Sequence, residues 1–191
     1  MKIQLTKKEI QEKFGLPECD IEIITGFDKK VVEEIGVLPE DNEDNYITVT
    51  FPNKTAKEIV DECNNKLGNG KLLYDPSWYK NEDFYTKEKP RKGTWKISTK
   101  IDHLGKLFNE CKEEGLDMLS FVELLWVAII YYSITDKYFF KDYYSWTKSL
   151  ASDGDFVLFG FFGGTGASVY GSRPGTSDSN VGLSFSVGEI K

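Results

Sequence analysis

Residues 149–188 have the sequence SLASDGDFVLFGFFGGTGASVYGSRPGTSDSNVGLSFSVG, which contains nine Gly and eight Ser but no Lys, Glu, Gln, Met or Trp. In contrast, 37 of the first 148 residues are Lys or Glu, so a uniform composition would place ten of them here. Gly-rich turns and the alternating residues 183–187 predict short strands joined by tight turns, with small or flat side chains facing outward. Such a surface favours recognition over catalysis. The alternative is that β-hairpins are ordinarily poor in Lys and Glu and rich in Gly.

The length and composition indicate either one domain of ordinary size or a domain with an appendage. The chain has 191 residues, of which 40% are hydrophobic and 14% aromatic, enough for a packed core. The formal net charge is −7 and no stripe of Lys and Arg is present, so we expect no nucleic-acid binding.

Cysteine usage and the N-terminal residues indicate synthesis in a reducing compartment. Cys19, Cys63 and Cys111 are far apart and odd in number, which favours free thiols over a disulfide framework. Residues 1–9 lack the apolar region of a signal peptide, so we expect the chain to be made in the cytoplasm. The apolar residues 121–132 are too few to cross a bilayer and predict a core helix, not membrane insertion.

Hydrophobic periodicity predicts an α+β protein with two to three helices on short antiparallel strands. A polar break at residues 41–45 separates an N-terminal accessory segment, residues 1–45, from a domain at residues 46–191. In the segment, Thr6 begins a capping box for a short helix, and residues 21–24 have the pattern of a strand. In the domain we expect helices at 55–67, 101–114 and 124–133, and strands at 46–51, 94–97, 143–149, 156–162, 167–170 and 182–187.

The residues required by common active sites are missing. His103 is the only His and falls in a predicted helix, so no hydrolytic triad and no zinc ligand set is indicated. The glycines of residues 163–166 lack the Lys and the helix of a phosphate-binding loop and favour a hairpin turn. Asp153 and Asp155 are a possible acid and base pair, but Asp beside Gly is common in turns. We therefore expect no catalytic residues, no metal and no cofactor.

Several of these features together resemble a C-type lectin fold. They are the strand at Tyr46, helices that end at Gly115 and begin with Ser120-x-x-Glu123, Trp146, and residues 182–186. More narrowly, residues 45–187 resemble the variable proteins of diversity-generating retroelements, in which a reverse transcriptase copies a template inaccurately at adenines. The amino acids reachable in this way include Asn, Asp, Ser, Gly, Thr, Tyr, Phe, Val, Ala and Arg but not Lys, Glu, Gln, Met or Trp. The composition of residues 149–188, which the resemblance implies are the variable region, matches that set.

The resemblance implies which positions vary and which are fixed. Diversified, outward-facing positions would be Phe161, Phe162, Thr165, Ser168, Tyr170, Ser172, Arg173, Ser177, Asp178 and Asn180. The invariant framework would be Trp146, Val157, Gly160, Val169, Gly182, Leu183 and Phe185. The Gly-Phe-Arg ending of formylglycine-generating enzymes and the sugar-binding motifs of calcium lectins are absent, so neither sugar nor Ca²⁺ binding is implied.

The resemblance implies a non-enzymatic display protein. Its C-terminal hairpins would bind a macromolecule, such as a protein on a host or neighbouring cell, and it would be displayed on a virion or a cell surface. Aromatic anchors at Phe161 and Phe162 would provide contact area, so Phe162→Ala or Tyr170→Ala would abolish binding without lowering the melting temperature. The alternatives are a relative of formylglycine-generating enzymes that uses cysteines for copper-dependent oxidation, and a structural or tail-associated subunit whose hairpins form oligomer contacts.

Overall fold

The computed structural model describes residues 46–68, 70–135 and 137–190, which form a mixed α+β structure. Its helices are α1 Ala56–Glu62, α2 Asp83–Thr86, α3 Phe108–Glu113 and α4 Phe121–Thr135. Its strands are β1 Tyr46–Thr50, β2 Lys66–Leu67, β3 Gly70–Lys71, β4 Thr94–Ser98, β5 Asp117–Met118, β6 Tyr144–Leu150, β7 Phe156–Gly163, β8 Gly166–Ser172, β9 Val181–Gly182 and β10 Phe185–Ile190. Across these ranges, no helix has both the length and the apolar character needed to span a bilayer.

The central helix α4 is the core of the structure, as its all-round hydrophobic sequence predicts. Residues 121–130 are all buried. The predicted capping box is confirmed: the Ser120 N–H donates to Glu123 Oε2 at 2.8 Å, and the Glu123 N–H donates to Ser120 Oγ at 3.3 Å. The buried Glu123 carboxylate also accepts hydrogen bonds from the Arg91 N–H at 2.8 Å and from Arg91 Nε at 2.9 Å. This pairing fixes the start of α4 against the segment before β4.

Two four-stranded sheets pack around α4. The first has the order β1-β4-β10-β5, so the first and the last described strands both pair with β4. The second has the order β8-β7-β6-β9, in which β7 pairs antiparallel with β6 and β8, while β9 runs parallel to β6. The second sheet contains 19 of the 40 Gly-rich residues 149–188 and positions the candidate site.

The second sheet has a hydrophobic cluster on each face. On the inner face, Val157, Phe159 and Val169 belong to the large core that includes α4. On the outer face, Trp146 and Leu158 pack with Phe108 and Cys111 of α3, together with Met118, Val181 and Leu183. Alternate side chains of a strand point to opposite faces, which explains how neighbouring residues join different clusters. The outer cluster, which we call the α3 cluster, covers only part of the outer face.

Most predicted strands are confirmed. The predictions at 46–51, 94–97, 143–149, 156–162 and 167–170 correspond to β1, β4, β6, β7 and β8. The predicted strand 182–187 is instead two strands in different sheets, β9 and β10. Within it Ser184 and Ser186 are buried, so the small polar residues face inward rather than outward. Ser184 is accommodated because its Oγ donates to the carbonyl of Ser98 at 2.7 Å.

Two predicted helices are shorter than expected. For 101–114, only α3 is helical, because residues 102–105 join β9 instead: Asp102 and Leu183 exchange two backbone hydrogen bonds, and the Gly105 N–H donates to Val181. Leu104 is consequently exposed rather than buried, and His103 lies in a turn with φ +62°. For 55–67, α1 ends at Glu62 because Asn64 and Asn65 adopt left-handed conformations with φ near +51°.

Both cysteines among the described residues are buried, as predicted for free core thiols. Cys63 belongs to the large core and Cys111 to the α3 cluster. Burial raises the pKa of the Cys63 thiol to about 12 and also raises the pKa of Cys111. The predictions for Cys19, the capping box at Thr6, the strand at 21–24, the polar break at 41–45 and the accessory segment 1–45 lie outside the described residues.

Candidate functional site

A β-bulge in β7 brings Phe161 to the outer face of the second sheet. The register between β7 and β8 shifts after Gly160, and Phe161 has a left-handed conformation with φ +52°. The Phe161 N–H donates to the Tyr143 carbonyl at 2.9 Å. A Cβ at Gly160 would lie 2.1 Å from this same carbonyl oxygen, so the close approach of β6 requires glycine. The side chain of Phe161 is 43% exposed.

The bulge has the opposite effect on Phe162, whose predicted exposure is wrong. Its side chain is only 2% exposed and belongs to the large core. The ring stacks on Tyr138 at a centroid distance of 5.7 Å and meets Phe159 edge to face at 5.4 Å. Because the bulge inserts a residue, Phe162 points toward α4 rather than into solvent. Phe162 is therefore a core residue and not a surface anchor.

Three aromatic rings meet on the open part of the outer face, and we call Tyr144, Phe161 and Tyr170 the aromatic cluster. The Tyr144 ring stacks on Phe161 at 5.1 Å and meets Tyr170 nearly at right angles at 5.6 Å. The Tyr170 side chain is 52% exposed. Tyr144 lies opposite Gly160 on β7, and Gly160 lies opposite Ser168 on β8. The absence of a side chain at Gly160 leaves the space in which Tyr144 reaches across the sheet.

Tyr144 connects several of the predicted site residues. Burial raises the pKa of its phenol; the side chain of Ser168 lies within hydrogen-bonding reach and lowers this pKa, while Tyr170 and the negative charge of Asp178 raise it further. The Tyr144 N–H also donates to the carbonyl of Asn180 at 2.9 Å. Tyr144 was not among the predicted site residues. The signal was present, because Tyr144 precedes the framework residue Trp146 by two and therefore shares its face of the strand.

The loop between β8 and β9 is fixed at three places. The Thr176 N–H donates to the Arg173 carbonyl at 3.0 Å, and Ser177 Oγ donates to the Gly105 carbonyl at 2.7 Å. The Asn180 N–H donates to Asp178 Oδ1 at 2.9 Å, which closes an Asx turn beside β6. Arg173, Ser177, Asp178 and Asn180 are all exposed. This loop thus presents polar side chains from a backbone that is tied to the sheet.

The ten predicted site residues do not form one compact site. Phe161, Ser168, Tyr170 and Asp178 surround Tyr144, and Asn180 contacts it through its backbone. Thr165 is exposed in the turn before β8, whereas Ser172 and Arg173 lie at the other end of that strand. The strand rise separates these ends by about 25 Å. Only the central group is positioned to contact a single ligand side chain.

An exposed tryptophan lies along the outer edge of β8. The indole N–H of Trp78 donates to the Val169 carbonyl at 3.0 Å, and the Tyr74 N–H donates to the Ala167 carbonyl at 2.8 Å. These bonds satisfy carbonyls that an edge strand would otherwise expose. The rings of Trp78 and Tyr74 are 41% and 49% exposed. Neither residue was among the predicted site residues.

A separate shallow groove of about 340 Å³ lies beside α2 and the end of β6. Ser149 Oγ donates to the Glu88 carboxylate there and accepts the N–H of Phe121 at 2.8 Å. Burial raises the pKa of Glu88, although the hydrogen bond from Ser149 lowers it. Among the described residues, His103 does not line this groove, so Ser149 is paired with a carboxylate and not with a histidine. These contacts hold α2 and β6 at the start of α4.

No family model, curated protein or solved structure matches this chain.

Proposed function

We propose that this chain is a non-enzymatic ligand-binding display protein with a C-type lectin-like fold. Its C-terminal hairpins form the binding face, and the variable proteins of diversity-generating retroelements are the functional model for this proposal. The proposal rests on the order of its elements, β1, the helices α3 and α4, and then the Gly-rich strands β7 to β10. It also rests on the composition of residues 149–188.

The observation that carries the proposal is the division of this segment by burial. Nine of the ten positions expected to vary are exposed or partly exposed; Phe162 is the exception. Six of the seven framework positions are buried, and Phe185 is partly buried. Substitution at the exposed positions changes the surface chemistry without changing the packing of either cluster, because surface substitutions away from special features alter stability little. This is the arrangement that a diversified binding surface needs.

The side-chain chemistry of the face favours a macromolecular ligand. The aromatic cluster provides rigid contact area at a low cost in conformational entropy, and Ser168, Asp178 and Asn180 provide adaptable hydrogen bonds. Exposed aromatic residues of this kind are frequent hot spots of protein interfaces. We therefore propose a protein on a host or neighbouring cell as the partner, with display on a virion or cell surface.

The formylglycine-type alternative requires a pair of reactive cysteines near the binding face. Cys63 and Cys111 lie in different hydrophobic clusters, and burial raises the pKa of both thiols, which disfavours the reactive thiolate. No observation on the described residues favours that function over recognition.

The decisive experiment is to sequence the DNA that flanks the gene. We expect a near-copy of the segment that encodes residues 149–188, with adenines wherever the two copies differ, next to a reverse-transcriptase gene. The matched control is the segment that encodes residues 108–147, which has the same length and should have no second copy. A flanking region without such a near-copy would remove the argument for diversification.

Light scattering separates recognition from the oligomer-contact alternative. A binding face open to a partner predicts a monomer, or an oligomer whose formation is unaffected by Phe161→Ala and Tyr170→Ala. If the chain forms a stable oligomer that these two substitutions dissociate, the exposed rings serve self-association, and the proposed recognition function is wrong.

A further inference from the structure

An exposed carboxylate, that of Asp178, lies beside the aromatic cluster. Asp178 is exposed and its Oδ1 accepts the Asn180 N–H at 2.9 Å, while the Asn180 carbonyl accepts the Tyr144 N–H at 2.9 Å. Within residues 46–68, 70–135 and 137–190, no Lys, Arg or His nitrogen approaches the Asp178 carboxylate to within 4 Å. The two hydrogen bonds therefore hold this carboxylate near the cluster, and no cationic side chain of the described residues forms an ion pair with it.

The rings of the cluster add to this negative potential. Tyr144 and Phe161 lie within 28° of parallel, and Tyr170 stands at 75° to Tyr144, so the rings are oriented in two nearly perpendicular planes. The face of an aromatic ring carries partial negative charge and attracts a cation within about 6 Å of its centroid. A partly apolar surface next to a carboxylate strengthens that attraction because water screens it less. Ring faces and carboxylate are therefore complementary to the same kind of group.

We propose that the aromatic cluster and Asp178 bind an arginine side chain of the protein partner. This inference rests on the proposed function and adds the chemistry of the partner. A guanidinium group is planar, stacks on aromatic rings and forms forked hydrogen bonds with a carboxylate, whereas an ammonium group is more strongly hydrated. The formal net charge of −7 further favours encounter with a basic partner surface.

The test is an NMR titration of the uniformly labelled full chain with two small probes. N-acetyl-arginine amide carries the guanidinium, and N-acetyl-citrulline amide has nearly the same shape without the charge. We expect the arginine probe to shift the amide signals of Phe161, Ser168, Tyr170 and Asp178 in a saturable way. The citrulline probe should bind at least about fivefold more weakly, because it cannot make the cation–π contact.

Matched variants separate charge from shape. Asp178→Asn keeps an oxygen that accepts the Asn180 N–H, so the turn is retained, and it should weaken binding of the arginine probe about two- to fivefold, as for an exposed ion pair. Asp153→Asn is the control, because Asp153 lies in the turn between β6 and β7 and its Oδ1 accepts the Asp155 N–H at 3.1 Å in the same way. It should leave probe binding unchanged.

Three results would overturn the inference: equal binding of both probes, unchanged binding in Asp178→Asn, or shifts at the cluster caused by N-acetyl-aspartate amide and lost in Arg173→Gln. The last would indicate an anionic partner bound by Arg173. Each of these results is compatible with a near-copy of the coding segment beside the gene, so it would remove the arginine partner and leave the proposed function standing. Saturable binding of the arginine probe without a near-copy beside the gene would leave the arginine site standing and remove the argument for diversification.

Discussion

Truncation of the two adjacent phenylalanines at the bulge should reduce stability by very different amounts. Phe162 is 2% exposed and contacts the rings of Tyr138 and Phe159, so Phe162→Ala removes a fully packed ring and should reduce the free energy of unfolding by about 3–5 kcal/mol. Phe161 is 43% exposed. Within the described ranges, Tyr144 is the one aromatic ring that it contacts. Phe161→Ala should therefore cost only about 1.5 kcal/mol, from partial burial and one ring pair.

Urea unfolding followed by tryptophan fluorescence measures both values. For a chain of this length, the expected losses correspond to a decrease in melting temperature of roughly 6–20 °C for Phe162→Ala and of roughly 3–6 °C for Phe161→Ala. Phe162→Leu serves as a control, since it keeps much of the volume and should cost less than about 1.5 kcal/mol. Equal losses for the two alanine variants, or a larger loss for Phe161→Ala, would show that the bulge does not divide the two rings between surface and core.

Two further predictions concern a glycine and a buried carboxyl group. Gly160→Ala places a Cβ 2.1 Å from the Tyr143 carbonyl oxygen and should reduce the free energy of unfolding in urea by roughly 1–3 kcal/mol. The control is Gly164→Ala, which lies in open space at the turn before β8 and should cost less than about 1 kcal/mol. Similar losses for the two variants would refute the close approach of the backbone at Gly160. Burial raises the folded-state pKa of Glu88 above its unfolded value, so the penalty for its ionised form is present at pH 7 and vanishes below the unfolded pKa near 4.5. Glu88→Gln should therefore raise the free energy of unfolding at pH 7 but not at pH 4. The control is Glu113→Gln at an exposed position, which should change the free energy of unfolding by the same small amount at both pH values. A pH-independent effect of Glu88→Gln would contradict the predicted penalty for the ionised carboxylate.

Elements determined by local sequence were predictable, and those determined by distant contacts were not. Helix α4 was predicted because its capping box and all-round hydrophobic sequence do not depend on the rest of the chain. The helix predicted at 101–107 was wrong because Asp102 and Gly105 form backbone hydrogen bonds with Leu183 and Val181, about eighty residues away. Periodicity within a short window contains no information about such a partner. The same limitation explains why the predicted strand 182–187 divides between two sheets.

The candidate site was predictable in part for the same reason. Alternation along β8 correctly places Ser168 and Tyr170 on one face, with Val169 on the other. The prediction failed at Phe162 because a bulge reverses the alternation, and the sequence Gly160-Phe161 indicates a bulge only when the close approach of β6 is known. Tyr144 and Trp78 were missed because their surroundings depend on distant pairing: Tyr144 contacts Phe161 of β7, and Trp78 donates to the Val169 carbonyl of β8.

The backbone at position 161 also limits which side chains the bulge accepts, and this gives a physical test of the proposed diversification. Phe161 has φ +52°, a conformation that Gly, Asn and Asp adopt easily and that β-branched residues strongly disfavour. We therefore expect Phe161→Asn and Phe161→Gly to be more stable than Phe161→Val by about 1–2 kcal/mol in urea unfolding. Tyr170 lies in a regular strand, so the order should reverse there, with Tyr170→Val more stable than Tyr170→Gly. The same order at both positions would mean that Phe161 is not held in the left-handed conformation.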